Sequence, residues 1–311
     1  MLLLAVVGLG ACSGDAAVVG DAEDAVDGAS DPAVTSTTST TSTTSSTSTS
    51  TSTSTTSTTS PTTTSTTSTT STSTSTSSTS SSSTTTSVPI GVIDLTANQL
   101  TLGLSVEGRP IVAERLSPTG GRRVLVIGVI HGNEDAGVAI VDQLRTEPVP
   151  DGVELWVVES MNPDGQAAHD RHNANHVDLN RNFPHNWGPI GVPGDGQYAG
   201  TGPASEPETQ AMVAFIEALR ADIVVWYHQD LYVISPSTGR DGRIRERYAE
   251  LTGLPMGEIT GGTYTGVAAT WARRALAELD SAAFIVELGA TLSADEAATH
   301  AAAVRTIAVE G

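Results

Sequence analysis

Four residues able to bind a metal ion or move a proton stand where apolar runs of the chain end. His131 and Glu134 share the tetrapeptide His131-Gly132-Asn133-Glu134, His228 follows the run 222–227, and Glu287 follows the run 282–286. Two imidazoles and one carboxylate are a common catalytic zinc set, because they leave a fourth position open where a structural site would be closed. A further carboxylate is then needed to accept a proton from water. Singly, each signal is weak: His-x-x-Glu pairs also arise on solvated turns, and a strand-end histidine is commonly a hydrogen-bonded rim residue. Glu287 is harder to explain away, since a carboxylate closing an apolar strand carries a desolvation cost unless something compensates it. Convergence of all four in one crevice would make a mononuclear zinc hydrolase site.

The elements that must position these residues follow from hydrophobic periodicity. Residues 122–130 are a near-continuous apolar run after Gly120-Gly121, the pattern of a strand buried on both faces, with His131 as its last residue. Val138, Ile140, Val141 and Leu144 recur at helical spacing, which places Glu134 on a tight turn between that strand and a helix over 135–145. The runs 153–160, 222–227 and 282–286 read as further buried strands, and 90–95, 100–105 and 110–116 as early ones. Met161-Asn162-Pro163-Asp164-Gly165 reads as a turn. Residues 206–220 predict an amphipathic helix with Met212, Phe215, Ile216 and Leu219 inward, and 291–309 a closing helix. Strands alternating with helices predict an α/β fold, a three-layer α/β/α sandwich around a mixed, mostly parallel sheet. In such sheets ligands bind beyond the carboxyl ends of the strands, where the three runs deliver their four residues.

The middle of the chain adds Arg171-His172-Asn173-Ala174-Asn175-His176-Val177-Asp178-Leu179-Asn180-Arg181-Asn182-Phe183-Pro184. Around it stand Gly103 to Ile111, the His-Gly-Asn-Glu turn, Asn162-Pro163-Asp164-Gly165, Ser205-Glu206-Pro207-Glu208-Thr209, His228 and Glu287-Leu288-Gly289. In that order, these motifs resemble the M14 zinc metallocarboxypeptidase family. The resemblance implies one zinc ion per domain, held by His131, Glu134 and His228, with Glu287 as general base. It further implies that Arg171 polarises the scissile carbonyl and stabilises the oxyanion, while Asn180 and Arg181 hold the substrate's terminal carboxylate. Those roles suit the side chains, because a guanidinium is a rigid fork for carboxylates and a preorganised cation acts strongly on an oxyanion in a water-poor site. His169, His172 and His176 lie in the same loop but lack an element to fix their geometry, so no second metal cluster is expected. Tyr264, in Gly261-Gly262-Thr263-Tyr264-Thr265-Gly266, stands where many family members carry a mobile tyrosine that closes over substrate.

Outside this region the chain changes character. Residues 35–87 are almost wholly Ser and Thr, interrupted by Pro61, and read as a linker with a coil span on the order of 40 Å and as a candidate O-glycosylated stalk. Residues 13–34 are rich in Ala and Gly with six acids and no base, and read as disordered. Residues 1–12 are apolar and end Leu9-Gly10-Ala11-Cys12, which resembles a bacterial lipobox with Cys12 as the lipidated residue, although a basic n-region is missing. Cys12 is the single cysteine, so no intramolecular disulfide is available. This predicts export, as a cell-surface lipoprotein held by a lipid anchor or as a secreted protein.

Residues 88–311 are long enough for one α/β domain with a full core. The formal charge is −20, with 35 acids against 15 bases, all of them Arg, which argues against nucleic acid as a partner. Within the family, the Arg171 to Pro184 motif with Trp226-Tyr227-His228-Gln229 is most similar to the murein-peptide amidases, which cut γ-D-glutamyl-meso-diaminopimelate. A carboxypeptidase acting on cell-wall stem peptides is therefore the expected function. Two alternatives stay open at this stage: a zinc deacylase of N-acyl amino acids, and a degenerate, non-catalytic wall-binding protein.

Overall fold

The computed structural model describes residues 93–260 and 262–311. The expected signal segment with Cys12, the acidic segment and the Ser/Thr linker all lie outside the described residues.

Six strands form one sheet in the order β1-β2-β4-β3-β5-β6. They are β1 (Gln99–Leu104), β2 (Pro110–Arg115), β3 (Arg122–Ile127), β4 (Val153–Val158), β5 (Ile223–Gln229) and β6 (Ala282–Leu288). The pairs β4–β3, β3–β5 and β5–β6 are parallel, while β1–β2 and β2–β4 are antiparallel. The sheet is therefore mixed and mostly parallel, as expected. Helices α1 (Gly137–Thr146), α4 (Gly239–Thr252) and α6 (Ala294–Glu310) cover one face through Ile140, Tyr248 and Val304. Helices α3 (Pro207–Leu219) and α5 (Ala268–Ala275) cover the other through Met212, Phe215 and Trp271. Each large side chain taken out of water contributes about 1.5–3 kcal/mol, which is what holds the helices to the sheet.

Alternation along the central strands decides which residues share the site. Val224 and Trp226 face the α3/α5 layer, whereas Ile223, Val225 and Tyr227 face the α1/α4/α6 layer. With a side-chain period of two, His228 falls on the Trp226 side. By the same count Glu287 follows Ala283 and Ile285 onto that face. The parallel register then sets His228 directly opposite Glu287.

Three local expectations are corrected. β3 ends at Ile127, four residues short of His131. The chain leaves the sheet at Gly128, where a Cβ would lie 2.6 Å from the Glu159 carbonyl oxygen. Residues 93–95 are not a strand: Asp94 accepts from the Thr96 backbone and hydroxyl, forming a side-chain-stabilised turn, and Arg115 donates to the carbonyls of Leu95 and Thr96. The expected turn at Asn162-Pro163 opens a helix, α2 (Pro163–Ala168), because the Asn162 side chain caps Gly165 N at 3.0 Å and Pro163 takes the first helical position.

Behind β5 runs a buried polar chain. Tyr227 Oη meets Tyr248 Oη at 2.7 Å, and Tyr248 Oη meets His300 Nδ1 at 2.8 Å. Burial pushes His300 down to about 4, against a smaller upward pull from Glu296. The unfolded chain takes up this proton near pH 6.5 and the folded chain only near 4, so stability is lost as pH falls through that window. The loss is on the order of 3 kcal/mol. Replacing His300 with Gln is expected to flatten the pH dependence of the denaturation midpoint between 6.5 and 4. An unchanged slope would refute this assignment.

Candidate active site

His131, Glu134 and His228 are all buried and come together, with ligand atoms within 4.8 Å of one another. His131 Nδ1 lies 2.9 Å from Glu134 Oε1, and His228 Nδ1 lies 3.0 Å from Glu134 Oε2. One Nδ1 thus faces each oxygen of a single carboxylate. The second nitrogen of His131 is oriented by Asp178 Oδ1 at 3.1 Å, the carboxylate–imidazole arrangement that fixes ligand histidines in metal sites. His228 Nε2 has no protein hydrogen-bond partner among the described residues. This donor set fits a zinc ion.

The turn that carries the first two ligands is built by backbone contact. Gly132 packs against Gly165, where a Cβ would lie 1.9 Å from the Gly165 carbonyl carbon, while a Cβ on Gly165 would lie 2.3 Å from the His172 carbonyl oxygen, so each glycine permits its own close approach of two backbones. Asn162 donates to the carbonyls of Ile130 and Arg171, tying the turn to the loop that bears Arg171. That loop is knotted by Asn173, which donates to Glu206 and Glu208 and accepts from the backbone of Asn175 and Val177.

Arg171 reaches the site, but its guanidinium turns toward the ligands. Nη1 donates to Glu134 Oε1 at 3.0 Å and lies 3.2 Å from His131 Nδ1, while Nη2 donates to Asp178 Oδ2 at 2.9 Å. A cationic N–H group therefore rests on two of the atoms that would face a metal ion.

The electrostatics follow from burial and pairing. Burial disfavours the charged form of His131, but Glu134 and Asp178 outweigh it and raise its pKa. Burial alone would raise Glu134, yet His131 and His228 hold it below the usual carboxylate range. Burial pushes His228 down to about 4, leaving it neutral, the form that ligates metals. Burial, reinforced by the charge of Glu134, pushes Glu287 up to about 8. The Leu231 backbone N–H lies 3.5 Å from Glu287 Oε2.

Asn180 and Arg181 occupy a 3-10 turn, Leu179–Arg181, capped by the Asp178 side chain on Asn180 N. Asn180 Oδ1 accepts from Ala268 N at the start of α5, which aims the amide nitrogen away from α5. That buried nitrogen has no protein partner among the described residues. The Arg181 guanidinium is buried, with the Tyr264 ring over it at 5.4 Å. Tyr264 is held at its base, where Thr265 Oγ1 donates to Asn186 O and Gly266 O accepts from Phe183 N. Gly266 has φ +59, and a Cβ there would lie 2.3 Å from the Arg181 carbonyl oxygen.

His169, His172 and His176 form no metal-capable group among the described residues; His172 instead bridges Asp170 and the Asp195 carbonyl. Asp178 and Gln229 received no role from the sequence, although Asp178 stands inside the motif that carries Asn180 and Arg181.

Comparison with known proteins agrees with this geometry. Residues 96–238 match the zinc carboxypeptidase family of M14 peptidases. Murein peptide amidase A of Escherichia coli strain K12 is 29% identical over 180 residues, 54% of this chain and 74% of that protein. The crystal structure of the murein-tripeptide amidase from Escherichia coli O157 aligns with a TM-score of 0.55 at 26% identity, over 68% of this chain and 92% of that one. Carboxypeptidase A from Helicoverpa armigera shares the fold, with a TM-score of 0.60 at 18% identity over 68% of this chain and 67% of that one. The chain therefore carries an M14 zinc carboxypeptidase domain, matched over residues 96–238. It is a metallocarboxypeptidase whose cofactor is zinc, and His131, Glu134 and His228 are the described group able to hold the ion.

Because Arg171 Nη1 donates to Glu134 Oε1, Arg171→Met is expected to bind zinc roughly tenfold more tightly than the natural chain, a coupling of about 1.4 kcal/mol. Competition against a chromogenic chelator measures it. Weaker zinc binding in the variant would show that the guanidinium supports the ligands.

Proposed function

We propose that this enzyme releases the C-terminal residue of murein stem peptides, cutting the amide between γ-D-glutamate and meso-diaminopimelate. The observation that carries the reading is the buried His131–Glu134–His228 group with Glu287 on the strand next to His228, and with Asp178 joining His131 to the turn whose Asn180 amide nitrogen has no protein partner among the described residues. Two relatives named for murein peptides support the choice of substrate.

In the proposed mechanism His131, Glu134 and His228 hold the zinc ion, which supplies a Lewis acid that polarises a carbonyl and acidifies water. Glu287 takes the proton of the attacking water and returns it to the leaving amine. Its place suits both transfers, since β6 sets Glu287 directly opposite the metal-binding His228 of β5. Arg171 steadies the developing oxyanion. Asn180 and Arg181 hold the leaving residue's carboxylate, and Tyr264, stacked on Arg181, closes that end of the site. Cys12 carries a lipid anchor in this proposal, with the Ser/Thr segment as the stalk of an exported surface enzyme.

Mass spectrometry of L-Ala-γ-D-Glu-meso-diaminopimelate incubated with the full chain is expected to show free diaminopimelate, abolished by a zinc chelator. Glu287→Gln should keep its zinc and lose at least about a thousandfold in kcat; unchanged turnover would remove Glu287 from the mechanism. Amidation of the diaminopimelate carboxylate next to the cleaved bond should lower kcat/KM by at least about a hundredfold, because Asn180 and Arg181 lose their partner. Equal turnover of acid and amide would sink the clamp.

A further inference from the structure

The last residue of β5, Gln229, touches the segments that follow both other site-bearing strands. Its Oε1 accepts from Ala136 N at 2.9 Å, two residues after Glu134. Its Nε2 donates to the carbonyls of Gly289 at 3.2 Å and Ala290 at 3.3 Å, just after Glu287. Its own backbone N–H donates to Glu134 Oε2 at 3.2 Å. One residue, adjacent to His228, thus joins the turn bearing His131 and Glu134 to the strand end bearing Glu287.

The chemistry of these partners selects the side chain. Ala136 N–H can only donate, and the two carbonyls can only accept, so the group between them must present an acceptor on one side and a donor on the other. A terminal amide does this. Ionised Glu has no donor, Lys and Arg have no acceptor, and Asn is one methylene shorter.

We propose that Gln229 is a positioning residue that sets the separation between the metal-binding Glu134 and the proton-accepting Glu287. This rests on the roles assigned to those two carboxylates above. Its effect is carried through two turns of backbone and leaves substrate untouched. Residues of this kind, which hold metal ligands and their neighbours in place, typically change metal affinity or activity by about 10–100-fold when replaced.

The test uses the full chain and two readouts: zinc affinity by chelator competition, and kcat and KM on L-Ala-γ-D-Glu-meso-diaminopimelate. Gln229→Glu keeps the acceptor for Ala136 but sets a carboxylate against the carbonyls of Gly289 and Ala290. It is expected to hold zinc within about threefold of the natural affinity, keep KM within about twofold, and lose at least about tenfold in kcat. Gln229→Met keeps the length and loses all three side-chain bonds, and is expected to weaken zinc binding by about tenfold or more as well. Should Gln229→Met fail to fold, the Gln229→Glu arm decides alone. Both variants matching the natural chain in both readouts, with Glu287→Gln still inactive, would overturn the proposal and leave the site reading intact. If the natural chain leaves the tripeptide intact, the substrate reading fails separately, and natural zinc affinity in Gln229→Met would overturn the proposal.

Discussion

Charge buried at the carboxyl end of a parallel sheet survives only when every member is compensated by another. Here Glu134, Asp178 and Glu287 are buried together with His131 and Arg181, with Arg171 half-buried beside them, and much of the surrounding architecture exists to keep those groups in mutual reach. Asp178 shows the economy of the arrangement: it orients His131, pairs with Arg171 and caps the turn that presents Asn180. Removing it would leave two cationic partners without their carboxylate and a backbone N–H without its cap.

The same constraint explains why the helices matter less to the chemistry than the turns between them. The two apolar layers fix the sheet. The position of each polar group is then set by hydrogen bonds over short distances, such as Asn162 to the carbonyls of Ile130 and Arg171, or Asn180 to Ala268. Ligand geometry is therefore sensitive to the glycines that let two backbones touch, as at Gly132 and Gly165.

Much of this was legible in the residues themselves. Apolar runs located β3 to β6, and the period of two places His228 and Glu287 on one face of adjacent strands. What escaped has a common cause: it depends on partners far away in the chain. His131 lies beyond the end of β3 because Gly128 meets the backbone of Glu159. Asn162 starts a helix by capping its own chain where Pro and Gly had suggested a turn. The orientation of Arg171 follows from competition between Asp178 and the ligand atoms, and nothing in the residues around Gln229 announces its contacts with Ala136 and Gly289. Periodicity reports which face a residue shares; it is silent on which hydrogen bond wins.

β6, which carries Glu287, is the last strand of its sheet, and an open edge invites pairing with another chain. Val233 exchanges backbone hydrogen bonds with Glu287 in both directions, each 3.1 Å long, and Tyr232 N donates to Leu288 O. The segment after His228 therefore occupies the outer hydrogen-bonding groups of the strand at the position of the base. A second molecule cannot add a strand there. The bend that completes the site also guards the protein against edge-to-edge aggregation.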